Sequence, residues 1–149
     1  MRVANPTCDL LLTNGLVLTM DPRFTVHRPG SVAVTGDSIV AVGPGTLAYD
    51  AAETIDCAGR VIMPGLVNAH THVPMTLLRG LADDLRLDVW LMGYMMPVER
   101  AFVRPDFVAL GTRLACAEMI RSGTTCFADM YYFESVAAEA AAAAGMRAL

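Results

Sequence analysis

Residues 60–72, RVIMPGLVNAHTH, decide how the chain is read: a nearly continuous apolar run ends in two imidazoles, His70 and His72. Such a run fits a strand buried on both faces, as in a parallel sheet covered by helices. Residues two apart on a strand share a face, so His70 and His72 point the same way from the strand's carboxyl end and can hold one metal ion between them. Neutral imidazole nitrogen suits Zn²⁺, and a catalytic zinc keeps one position open for water. The same spacing also suits two loop histidines with no common ligand, and H-x-H alone leaves both readings open.

Downstream, residues 104–123 read as a helix. Pro105 suits the first turn, Asp106 the positive end of the dipole, and Phe107, Leu110, Leu114, Ala117 and Ile120 recur at helical spacing before Gly123. TTCFADM, residues 124–130, is the next buried strand, Glu134 to Ala144 an alanine-rich helix closed by Gly145, and MRAL the start of a third strand. Strands alternating with helices call for a parallel sheet. Upstream the texture is short β. LLL, Asn14-Gly15 and LVLTM suggest one hairpin, and SVAVT, Gly36-Asp37 and SIVAVG a second, in a small sheet or sandwich. The predicted organisation is α/β: residues 1–60 as the N-terminal part of a small β-sandwich, and residues 61–149 as the first two βα units of a (β/α)₈ barrel. A barrel takes about 250 residues, so this one stops on the threshold of strand three, incomplete as given.

The totals narrow the function. The 149 residues are 54% hydrophobic and 17% charged, with a net charge of −4. The 11 Lys and Arg residues are scattered, which argues against nucleic acid as a partner. Apolar runs are broken well short of the ~18–20 residues a bilayer crossing needs, and the first residues lack the layout of a secretory signal, so the reading is a cytoplasmic protein with no membrane partner. The four cysteines form no C-x-x-C pair and read as reduced, mostly buried thiols. His27 reads as an exposed loop residue, so no closed metal site can be assembled from this chain alone. Asp83-Asp84 reads as a helix cap or solvated turn, and Asp129 as a structural residue at a strand end. The connection from Val73 to Val103 is long and rich in Met and Leu, as befits a loop over an active face or a packed lid.

The stretch VIMPGLVNAHTHVPMTLLRGLADDLRLDVWL, followed by MMPVER, resembles the amidohydrolase superfamily, in which P-G-L-x-N-x-H-x-H is barrel strand one. Within it, THVPMTLLRGLADDL, Trp90, Pro97-Val98-Glu99 and the later EMIRSGTTCFADMY are similar to the 5-methylthioadenosine/S-adenosylhomocysteine deaminases. The resemblance implies that His70 and His72 are two ligands of one catalytic Zn²⁺, with iron as the alternative metal, and that the other ligands and the proton-transfer groups lie downstream. No catalytic residue is assigned within the chain. It further implies hydrolytic deamination of an adenine nucleoside thioether by metal-bound hydroxide. Glu99 matches the family position that binds the ribose hydroxyls, and an acceptor-only carboxylate suits two vicinal O–H donors. Its plain alternative is a solvated Glu paired with Arg100. Trp90 is expected either in the pocket, packing on the base or thioether, or in the core. The expected partner is a small adenine nucleoside, and homo-oligomerisation stays open. The rival readings are another amidohydrolase (guanine or cytosine deaminase, or triazine chlorohydrolase) and a non-catalytic fragment or interaction module.

Overall fold

Two groups of strands organise the chain in the computed structural model, which describes residues 4–149. The contacts divide into two units, residues 1–64 and 65–149.

In the first unit a long strand, β1 (Thr7–Leu18), is the axis of a five-stranded mixed sheet. One edge pairs antiparallel with β2 (Val26–Thr35), which pairs in turn with β3 (Ser38–Pro44). The other edge is shared by two parallel partners, β4 (Asp50–Asp56) along Thr7 to Thr13 and β5 (Val61–Ile62) at Leu16 and Val17. The turn Gly36-Asp37 joins β2 to β3, with Gly36 at a φ of 59°, as a tight hairpin requires. Asn14-Gly15 is not a turn. Asn14 takes a φ of 61° inside β1, the pairing with β2 shifts register on either side of Gly15, and the strand continues. An Asn-Gly pair serves a bulge as readily as a hairpin when the residues on both sides have the same neighbour to pair with. Asn14 is held there by its Nδ2, which donates to Asp56 Oδ1 at 3.2 Å. His27 also departs from expectation: it lies within β2, half-buried and opposite Val17, not in a loop. Cys8, Leu11 and Ala33 form a small buried core.

The apolar run 60–72 divides between the two sheets. Val61 and Ile62 complete the first, and β6 (Leu66–Thr71) begins the second, a parallel sheet ordered β6, β7 (Thr124–Asp129), β8 (Arg147–Ala148). At the edge of this sheet β6 is not buried on both faces as the apolar run suggests: nothing among the described residues covers Leu66 and Val67, which are exposed. Helices α3 (Pro105–Arg121) and α4 (Glu134–Ala143) connect the strands. Gly123 follows α3 with a φ of 83° and Gly145 follows α4 with 75°, the left-handed stop that ends a helix cheaply. Val73, Ala115, Cys116, Met119, Phe127, Ala141 and Met146 make the core.

The face that α3 buries is not the one its large residues suggest. Val108, Gly111, Thr112, Ala115, Cys116 and Met119 face inward, while Leu110, Leu114 and Ile120 are exposed. The cause is close approach: a Cβ on Gly111 would lie 2.5 Å from the carbonyl oxygen of Pro74 and 2.7 Å from its Cα. Only a stripe of small residues admits the backbone of the 3₁₀ turn Val73–Leu78 against the helix. Arg79, just past that turn, is tied to α3 by a two-pronged ion pair with Glu118, at 3.0 and 2.7 Å. The pair draws the Glu118 carboxyl below its ordinary range through that hydrogen bond, and raises Arg79. The rest of the connection is helical, with α1 (Leu87–Val89), a π-helical turn over Trp90–Met95 and α2 (Met96–Phe102). Asp83 and Asp84 sit exposed in the bend before it, Asp84 at a φ of 57°. All four cysteines are free, and burial pushes the Cys116 thiol up. Among the described residues no helix is long and apolar enough to cross a membrane.

Gly111→Ala is therefore expected to cost about 1–3 kcal/mol of stability by forcing backbone apart, read as a lower denaturant midpoint in urea. An unchanged midpoint would show that the Val73–Leu78 turn yields freely.

Candidate metal centre and substrate groove

The carboxyl ends of β6 and β7 are laced together, and the two histidines sit at that seam. Parallel pairing sets Thr71 opposite Asp129. Thr71 Oγ1 lies 2.7 Å from Ala128 O and 3.0 Å from Asp129 Oδ1, two acceptors for its one proton. The backbone N–H of Val73 donates to the same Oδ1 at 3.0 Å. The Asp129 carboxylate thus grips the residues on both sides of His72. Its other oxygen, Oδ2, is buried without a hydrogen-bond partner among the described residues.

His72 follows the last residue of β6 and opens the 3₁₀ turn. Its Nδ1 is 2.6 Å from the backbone oxygen of Met130. A carbonyl can only accept, so Nδ1 carries the hydrogen and Nε2 keeps its lone pair free. This is the arrangement by which metal-binding histidines are oriented from behind. The ring of His70 stands edge-on to it, with 5.2 Å between ring centres. Two imidazoles on one zinc, with bonds of about 2.1 Å and a near-tetrahedral angle, hold their ring centres about 5 Å apart. The pair therefore fits a shared divalent ion. Among the described residues no group of three His, Cys, Asp or Glu side chains gathers around a metal position.

Beside His72 opens a groove of about 310 Å³ lined by Met75, Trp90, Leu91, Glu99, Met130, Tyr131 and Tyr132 as well as His72. Trp90, half-buried, is one wall of it. Glu99, on α2, does not pair with Arg100. It accepts a hydrogen bond of 2.8 Å from the hydroxyl of Tyr131. Tyr131 is the member of this site that reading the sequence overlooked. It lies two residues beyond the end of β7, the position that loop-borne site residues occupy in a parallel α/β unit, and its ring centre is 6.3 Å from that of His72. Burial first, and then the hydrogen bond and charge of Glu99, push its phenol above the ordinary tyrosine range.

Residues 61–149 match the amidohydrolase family. The chain belongs to that family. Over 144 residues, 95% of this chain and 33% of the relative, it is 58% identical to a 5-methylthioadenosine/S-adenosylhomocysteine deaminase of Syntrophobacter fumaroxidans. It is 48% identical to a 5′-deoxyadenosine deaminase of Methanosarcina mazei, covering 94% of this chain and 32% of that one. Among solved structures, an adenosine deaminase from Xanthomonas campestris with bound zinc superposes with a TM-score of 0.92 at 48% identity, over 97% of this chain and 34% of that chain. The amidohydrolase chain thus spans about a third of the length of these relatives.

Replacing Asp129 by Ala removes the acceptor shared by Val73 and Thr71, and is expected to lower stability by about 1–3 kcal/mol. Asn, which keeps an oxygen at that place, should recover much of it. Equal melting of the Ala variant and the wild type would contradict the gripping role.

Proposed function

We propose that these residues are the N-terminal third of a zinc-dependent deaminase acting on adenine nucleosides that carry a 5′ thioether, of the 5-methylthioadenosine/S-adenosylhomocysteine kind. The observation that carries the reading is the groove in which an imidazole with a free Nε2, an indole and a carboxylate meet, His72, Trp90 and Glu99. The names of the similar deaminases and the zinc bound in the Xanthomonas campestris structure support it.

In this reading His70 and His72 supply two neutral nitrogens to the ion, with Met130 O fixing the His72 tautomer. The ion, once bound, supplies Lewis acidity and a water made acidic enough to attack near neutral pH. Glu99 takes the two ribose hydroxyls as acceptor, which orients the nucleoside along the groove. Trp90 offers a flat apolar face to the base or thioether. The remaining metal ligands and the groups that move protons belong to residues outside these 149. With them we assign the sheet of β6, β7 and β8 to the opening of a (β/α)₈ barrel, and the first unit to part of a composite β-sandwich.

The test is ammonia release by the full-length enzyme from S-adenosylhomocysteine, 5-methylthioadenosine, a free nucleobase and a chlorinated triazine, alongside metal content. Activity on the thioether nucleosides is expected, with one divalent ion per chain that His72→Ala loses by at least about tenfold in affinity. Turnover confined to the base or the triazine, or full metal content in both His70→Ala and His72→Ala, would sink the reading.

A further inference from the structure

We infer that Tyr131 is the positioning residue for sugar recognition in this groove: its hydroxyl occupies one oxygen of Glu99 and so presents the other to the vicinal hydroxyls of a ribonucleoside. This rests on the nucleoside reading above and deepens it. Glu99 lies on α2 and Tyr131 beyond the end of β7, 32 residues apart, so their 2.8 Å bond joins two elements that the local chain does not hold together. An ionised carboxylate offers about four lone-pair positions and the phenol consumes one, which leaves enough for a cis-diol. Among the described residues no Lys, Arg or His forms an ion pair with Glu99, so its charge is left for donors brought by the substrate.

Tyr131 is itself held from several directions. Its backbone N–H donates to the Glu134 carboxylate, its ring packs edge-on against Tyr132 at 5.0 Å, and it faces His72. A glutamate side chain left alone would surrender rotamer freedom each time it bound a sugar; one already ordered by a rigid phenol surrenders less. Tyr131 thus touches both the His72 side of the groove and Glu99.

The experiment compares the full-length wild type with Tyr131→Phe on a thioether adenine ribonucleoside and on its 2′,3′-dideoxy analogue. Wild type should prefer the ribonucleoside, and the variant should lose about tenfold of that preference, mainly through KM with kcat little changed, the worth of one charged hydrogen bond. On the dideoxy substrate the variant's loss of kcat/KM should be clearly smaller than on the ribonucleoside. A wild type that does not discriminate overturns the nucleoside reading of Glu99. A discriminating wild type whose preference survives in Tyr131→Phe overturns the role of Tyr131 alone, as does an equal loss on both substrates.

Discussion

Parallel pairing of β6 with β7 puts Thr71 opposite Asp129, and with that register two points 58 residues apart in the chain are brought to the same end of one sheet. Everything chemical in the second unit hangs from this alignment. It puts Asp129 within reach of Thr71 and Val73, Met130 within reach of His72, and Tyr131 beside the groove that receives Glu99. A slip of one residue would turn every side chain of a strand to the opposite face, and these bonds would go together. The helix α3 that connects the two strands is seated by the close approach of Gly111 to Pro74, directly after the histidines.

Those bonds also divide labour. Oxygen from the backbone sets the tautomer of His72, carboxylate oxygen from Asp129 sets the chain on either side of it, and a phenol sets Glu99. Three acceptor or donor groups at one strand end therefore orient His72 and Glu99 from behind, while the groove side is left to an imidazole nitrogen, an indole and a carboxylate.

Much of this was legible in the sequence, for reasons that are physical. The ends of α3 and α4 are written by Pro105, Gly123 and Gly145, because helix termini depend on local backbone preference. The hairpin at Gly36-Asp37 and the meeting of His70 with His72 at a strand end are likewise short-range. What depended on a distant partner was not legible. Asn14-Gly15 has the composition of a turn, and only the presence of β2 along the whole of β1, with β4 and β5 sharing its other edge, makes it a bulge. The large apolar residues of α3 advertise one face, but Pro74 requires the other, where Gly111 and Ala115 are. Tyr131 closes the stretch EMIRSGTTCFADMY that resembles the deaminases, but nothing in that run marked it as a groove residue. Its position two residues past a strand end was the available signal, of the same kind as that of His72 after β6.

The acceptor that orients His72 is a main-chain carbonyl, and the side chain of the residue that provides it, Met130, is 70% exposed. A contact of that kind is insulated from point mutation: nearly any amino acid at position 130 brings the same oxygen, provided the strand keeps its path. Drift at that codon is then free to reshape the groove wall while the imidazole behind it stays aimed, so that the lining of the groove and the orientation of His72 can evolve separately.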